Sequence, residues 1–312
     1  MNGVPLVPPE ASEFAGKTDA LFYVLLAFSF GLGLFLTFLV VGYAIKYRAG
    51  SKASRTGSRS RNLPLEIAWT GASLIVAFAL FGWGAVLFMG EHEPPQQSLH
   101  ILAVGKQWMW KFQHPGGQRE IDDLHVPVGR PVVVELASED VIHSLFIPAF
   151  RVKQDAVPGM STSLWFTATA PGTYHLFCSE FCGTAHSAME GSLVAMLPQD
   201  YAAWLNSQPT VDSPVAEGAA LYRGLGCSGC HEGGTVHAPS LHNLFGRPVP
   251  LSNSSTVVAD AAYIRDSILD PNKQVVAGYA AIMPSFAGLV SESDVMNLVA
   301  YIQSLSDQRG TS

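Results

Sequence analysis

Charge is scarce in this chain. Only 14% of the 312 residues are Asp, Glu, Lys or Arg, against roughly 25% in an ordinary soluble protein. Together with 48% hydrophobic residues, that scarcity excludes a disordered chain and argues against one that is soluble throughout. Cysteine is scarce as well, and four in 312 residues exclude a disulfide-stapled miniprotein. Basic residues are outnumbered 18 to 25, for a net charge of −7, which argues against a general nucleic-acid binder. No internal repeat is found. Length alone, at roughly 150 residues per domain, predicts about two domains.

The missing charge is concentrated in two places. Leu21–Ile45 runs 25 residues, and Ile67–Met89 runs 23, without Asp, Glu, Lys, Arg or His. At about 1.5 Å per residue they reach roughly 37 and 34 Å, enough to cross a hydrocarbon core of about 30 Å. Buried core helices seldom stay charge-free for so long, so both are expected to span a membrane. Between them lie Lys46, Arg48, Lys52, Arg55, Arg59 and Arg61, with no acid before Glu66. The positive-inside rule places this loop in the cytoplasm and both termini outside. Residues 91–312 hold 11 Lys and Arg against 21 Asp and Glu, together with all four cysteines. Met1–Ala20 has no basic n-region and no recognisable cleavage site. Either an insertion signal precedes it or the first span serves as its own.

The expected organisation is an external segment over 1–20 and a transmembrane hairpin over 21–90, with spans 21–45 and 67–89 and a cytoplasmic loop 46–66. An all-β domain over 91–205, a linker over 206–216 and a helical domain over 217–312 follow. Val132–Leu136, Ser163–Thr167, Thr173–Phe177 and Ser192–Met196 are short, β-branched or aromatic runs. Turn signals such as Pro115-Gly-Gly and Pro171-Gly172 separate them, the pattern of a sandwich or barrel. Pro209, Ser213 and Pro214 mark the linker. Beyond it, Ala261–Leu269 reads as a helix ending before Pro271. Ser291 and Asp294 form a capping box that opens a last helix to about Leu305, with Val295, Leu298, Val299 and Ile302 on one face.

Two clusters carry chemistry. In Cys178-Ser-Glu-Phe-Cys182-Gly-Thr-Ala-His186-Ser-Ala-Met189, two thiols, an imidazole and a thioether follow a strand, and His143 precedes them by 35 residues. A soft set of this kind favours copper. Two thiolates can bridge two copper ions, each also held by one His. A Cys178–Cys182 disulfide and a structural zinc site are the competing readings. The disulfide leaves His143, His186 and Met189 unexplained, and zinc leaves Met189 unexplained. The second cluster, Cys227-Ser-Gly-Cys230-His231, is a CxxCH motif, read as covalent attachment of a c-type haem. No second CxxC follows, so a zinc site would lack ligands. Met283, in a loop before Pro284, is the expected second axial ligand. Met296 is read as core, and His237 and His242 are alternative ligands by type.

These residues resemble a known family. Ser138-Glu-Asp-Val-Ile-His143-Ser, Lys153–Gly159, Pro171-Gly-Thr-Tyr and the Cys-Ser-Glu-Phe-Cys-Gly-x-x-His-x-x-Met run resemble subunit II of haem–copper cytochrome c oxidases, over about residues 20–198. The resemblance implies a cupredoxin domain with a binuclear CuA centre. Cys178 and Cys182 would bridge two coppers, with His143 and His186 on one metal each, and Met189 and the Glu180 backbone carbonyl as weak axial ligands. It further implies magnesium at the Glu180 carboxylate, bordering subunit I. Trp108, in Gln107-Trp-Met-Trp110, would be the residue through which electrons reach CuA. Met109 departs from the Tyr common there, which weakens an aromatic relay. Glu66 matches the family's acid at the mouth of the K proton pathway, although an acid in a helix's first turn is also favoured by the helix dipole.

Residues 216–306 resemble class I cytochromes c, where the Pro239 carbonyl orients the His231 imidazole. A subunit II followed by a cytochrome c is the arrangement of caa-type oxidases. The resemblance implies a bacterial inner-membrane subunit with its N-terminus and both domains on the periplasmic side. It would take electrons from cytochrome c or a donor respiratory complex through haem c to CuA, and on to the haem and CuB of a proton-pumping subunit I. The alternatives are a CuA subunit of a nitric oxide or nitrous oxide reductase, and a non-enzymatic copper carrier or assembly protein.

Overall fold

The computed structural model describes residues 7–54, 62–208, 212–232 and 238–306. Arg55, Arg59, Arg61 and His237 lie outside them. Two units emerge, one of residues 14–93 and one of the remainder.

The smaller unit is two long helices, α1 (Ala15–Lys46) and α2 (Leu63–His92). Both are long and apolar enough to cross a membrane. α1 begins six residues before the charge-free run, because Thr18 already bonds back to the Phe14 carbonyl at 2.9 Å. The Asn62 side chain caps α2 through the Leu65 N–H, a proline stands in the first turn, and Glu66 shares that turn.

The larger unit opens with ten strands, β1 (Leu99–Lys106), β2 (Met109–Gln113), β3 (Arg119–Ile121), β4 (Asp123–Pro127), β5 (Pro131–Ser138), β6 (His143–Ile147), β7 (Val152–Ala156), β8 (Thr162–Thr167), β9 (Gly172–Cys178) and β10 (Glu190–Met196). They form two five-stranded sheets, in the orders β3-β2-β1-β5-β8 and β4-β10-β9-β6-β7. β1–β5 and β4–β10 are parallel and the other pairs antiparallel, and the two sheets pack as a sandwich. Pleating sends alternate residues to opposite faces. Ile101, Ala103, Val134 and Leu136 are fully buried on one face. Leu102, Val104 and Ala137 on the other are buried too. Helix α3 (Pro198–Ser207) closes the domain.

A helical domain follows, with α4 (Pro214–Gly224), α5 (Ser228–His231), the short pair β11 (Pro248–Pro250) and β12 (Thr256–Val258), α6 (Ala261–Leu269) and α7 (Glu292–Ser304). α4 starts inside the expected linker, because Ser213 caps it through the Ala216 N–H and Pro214 pre-sets the first turn. The capping box of Ser291 and Asp294 is present. α4 and α7 cross at Gly218, where a Cβ would lie 2.0 Å from the Asn297 carbonyl oxygen. Tyr222, Ile264, Ile268, Leu298 and Ile302 contribute to the core around that crossing.

Candidate copper and haem centres

His143 opens β6 and Cys178 closes β9, two paired strands. The loop after β9 brings back Cys182, His186 on a single 3₁₀ turn and Met189 just before β10. Their donor atoms converge. The Cys178 and Cys182 sulfurs lie 3.8 Å apart. His143 Nδ1 is 3.9 Å from Cys178 Sγ, and His186 Nδ1 is 3.4 Å from Cys182 Sγ. Met189 Sδ lies 3.7 Å from Cys182 Sγ, and the Glu180 carbonyl accepts from Cys178 Sγ at 3.3 Å. Both thiols are free, and a disulfide would need about 2.05 Å. His143, Cys178 and Cys182 form a buried group able to hold a metal ion.

The surroundings orient these donors. Asp140 Oδ1 accepts from His143 Nε2 at 2.8 Å and from the Val141 N–H, while Oδ2 accepts from the Gln107 N–H at 2.7 Å. This leaves Nδ1 of His143 as its donor toward the sulfurs. Partial burial raises the Asp140 carboxyl, but those hydrogen bonds outweigh it and hold the group below its ordinary value. A Cβ at Gly105 would sit 2.9 Å from the His143 ring, so glycine there makes room for the imidazole. Burial pushes the Cys178 thiol up, but the His143 imidazole and backbone contacts bring it down to about 6. Burial and the Cys178 sulfur together push Cys182 up to about 11. A cation bridging both sulfurs would offset that second cost. Trp108 is 37% exposed and donates from Nε1 to the Cys182 carbonyl at 3.3 Å, which also accepts from Gln107 Nε2 at 2.8 Å.

In the helical domain, Cys227, Cys230 and His231 lie along one wall of a cavity of about 370 Å³ that Met283 also lines. Tyr222, Tyr263, Ile264, Ile268 and Phe286 make much of the remaining wall. His231 donates from Nδ1 to the Pro239 carbonyl at 2.7 Å, which leaves Nε2 as its free ligand atom. His242 is exposed and does not line the cavity. Met296 is buried, but against Leu102, Val104 and Ala137 of the β domain rather than in the helical core.

Sequence reasoning assigned no role to a second polar cluster. Buried His114 bonds through Nε2 to Glu120 Oε1 at 2.7 Å and through Nδ1 to the Tyr201 hydroxyl at 3.0 Å. His125 contacts the same carboxylate with its backbone N–H at 3.0 Å and with Nδ1, and stacks on Trp204 at 4.4 Å. The network ties α3 to the β domain.

A cupredoxin-like sandwich with a soft thiolate–imidazole cluster, followed by a CxxCH helical domain, defines a membrane-anchored electron-transfer protein. Comparison with known proteins narrows the class. The family model described as cytochrome c oxidase subunit II, periplasmic domain, matches residues 117–195. The model described as cytochrome c oxidase, cbb3-type, subunit III, matches residues 213–302. Cytochrome c oxidase subunit 2 of Alkalihalophilus pseudofirmus is 31% identical over 264 residues, covering 78% of this chain and 74% of that one. The subunit 2 of Cereibacter sphaeroides is 30% identical over 237 residues, covering 63% and 78%. Among solved structures, the periplasmic domain of subunit II of the Bradyrhizobium japonicum cytochrome oxidase is 31% identical, covering 37% of this chain and 96% of that one, with a TM-score of 0.36. The chain belongs to the cytochrome c oxidase subunit 2 family. It is an oxidase subunit that carries a cytochrome c domain behind its copper domain.

Proposed function

We propose that this chain is the electron-input subunit of a caa-type, proton-pumping oxidase, and that oxygen is reduced in its partner, subunit I. The observation that carries the reading is the convergence of two free sulfurs 3.8 Å apart, each beside its own imidazole. That donor set fits a pair of copper ions, which Cys178, Cys182, His143 and His186 would hold, with Met189 and the Glu180 carbonyl as weaker donors. A lone zinc ion would have no use for Met189. The apolar cavity beside Cys227, Cys230 and His231 fits a haem; the two cysteines would attach it, His231 and Met283 would hold its iron, and Pro239 orients the His231 imidazole. When bound, the two groups supply one-electron carriers in the proposed order of external donor, haem c, CuA and subunit I.

The chain's own residues set the conditions for that order. Asp140 and Gly105 hold the His143 ring in one place, which would limit its movement when the oxidation state changes. Trp108 stands between solvent and the Cys182 carbonyl, as a residue that passes electrons inward. The Glu180 carboxylate, exposed beside the copper loop, is assigned to magnesium at the subunit I border. Glu66, in the first turn of α2, is assigned to proton uptake. The basic residues Lys46, Arg48 and Lys52 between the helices support an inner-membrane topology with both domains on the periplasmic side. There the donor, a cytochrome c or a respiratory complex, meets the acidic outer part.

Electron paramagnetic resonance of the oxidised complex, with copper and haem quantified, tests the reading. The expected signal is one unpaired electron shared by two copper nuclei, with one covalent haem per chain. A spectrum from a single copper nucleus, or zinc at the site, overturns it.

A further inference from the structure

The outer face of the first sheet carries polar residues such as His100, Lys111 and Glu135, but an apolar patch interrupts them. Along β1 and β5, Leu102, Val104 and Ala137 point away from the sandwich core, and Met296 of α7 covers them. Met296 is 5% exposed, and every residue in its cluster belongs to the β domain. It is therefore a knob of the helical domain seated in the other domain. Two polar contacts flank it. Arg119 of β3 donates from the single nitrogen Nη2 to both carboxylate oxygens of Glu217 on α4, at 2.7 and 2.9 Å, and Glu217 also accepts from Asn297 Nδ2 at 2.6 Å. On the other side Arg265, only 3% exposed, bonds Glu292 at 2.6 Å with one arm and the Gly159 carbonyl with the other.

The position of Arg265 gives this contact a functional meaning. Its neighbour Ile264 lines the haem cavity. Gly159 follows β7, whose Ala156 pairs with His143 and whose Asp155 bonds the Ser144 hydroxyl at 2.6 Å. The guanidinium thus joins the wall of one centre to the strand that carries a donor of the other. A cleft of about 770 Å³, lined by Lys111, Gln113, Ser293 and Asn297 among others, runs beside these contacts.

We propose that Met296, Arg265 and the Arg119–Glu217 pair form a latch that docks the cytochrome domain on the outer face of the copper domain, and that Arg265 is a positioning residue for electron transfer between them. The proposal rests on the reading of the two centres given above. With both groups bound, the step between the domains would be a one-electron transfer in which no bond is made or broken. The latch fixes the distance over which this happens.

Hydroxyl-radical footprinting of Met296 in the full oxidase complex, read by mass spectrometry, tests the docking without reference to the metals. The expected result is strong protection of Met296 against the denatured chain. Arg119→Glu should raise its oxidation about threefold, since the pair is half-exposed, and Arg119→Glu with Glu217→Arg should restore most of the protection. Arg265→Gln should raise it about tenfold or more, because it leaves Glu292 without its cation. The haem-to-copper rate after photoreduction should fall in the same order, with both optical spectra unchanged. Met296 oxidised as fast as in the denatured chain, or protection unchanged by Arg119→Glu, overturns the latch. Increased Met296 oxidation with an unchanged transfer rate overturns the positioning role of Arg265. If Arg265→Gln misfolds, seen as lost haem absorbance, the Arg119→Glu pair decides. Failure of the copper and haem reading would appear separately, as missing spectra in the unmodified complex.

Discussion

The two centres are held in different ways. At the copper site the donors already touch one another, on strand ends and a short loop braced by Asp140, Gln107 and Gly105. In the helical domain the corresponding residues surround about 370 Å³ of space walled by apolar side chains. Small ions need a few donors in place, and the sandwich supplies them from two strand ends and one short loop. A porphyrin replaces part of a hydrophobic core, so the helical domain is complete only with it.

The sharpest test of this comparison removes each group in turn. Cys227→Ser with Cys230→Ser should abolish haem attachment. Without the haem, the apolar side chains that line its site lose the group they would pack on. Residues 214–306 should then lose cooperative unfolding and become protease-sensitive, while the β domain stays folded. Cys182→Ser should abolish the copper signal, yet leave the melting of the β domain close to the unmodified value. Equal melting of both apo domains would erase the distinction.

A smaller effect is expected from the brace around α3. Glu120→Gln leaves His114 and His125 without their shared carboxylate and should destabilise the β domain by about 3 kcal/mol, measured by urea unfolding. Burial raises the Glu120 carboxyl, but hydrogen bonds from both histidines outweigh that and hold it below its ordinary 4.5. Its contribution is therefore fully present above pH 4.5 and is lost as pH falls through the lower folded value. Urea midpoints of the unmodified and Glu120→Gln proteins should converge in acid, and a constant gap would contradict the sign. Gly105→Ala places a methyl against the His143 ring. It should cost about 2 kcal/mol and broaden the copper resonance, whereas the haem spectrum should not move. The smallest change is Asp140→Asn, which keeps the shape but removes the charge facing His143. We expect about 1 kcal/mol and a shifted copper potential by voltammetry, with an unaltered haem potential.

The parts of this chain written in contiguous residues were legible. β5, β8, β9 and β10 cover the four β-branched or aromatic runs, and α6 occupies Ala261–Leu269 as its pattern and Pro271 suggest. The copper cluster stood out because four of its side chains fall within twelve residues, and the structure brings His143 to them. What stayed hidden depends on partners far apart in sequence. Glu120 meets histidines on two other segments and, through His114, a tyrosine on α3. Asp140 sits within a quoted motif, but nothing in its spacing shows that it grips His143. The start of α4 was missed because its first turn carries no apolar period, although Ser213-Pro214 is a cap signature. Met296 reads as core on any helical wheel. Only the structure shows that its neighbours belong to another domain, although the run Ile101-Leu-Ala-Val104, apolar on both faces of one strand, hinted that something covers β1.

That run has a practical consequence. A copper domain cut away at Ser207 would carry Leu102, Val104 and Ala137 as a bare greasy stripe across the middle of a sheet. Such a fragment should dimerise or precipitate through that stripe, and a polar replacement at Val104 should cure it. The surface of the copper domain is thus finished only by the domain that follows it.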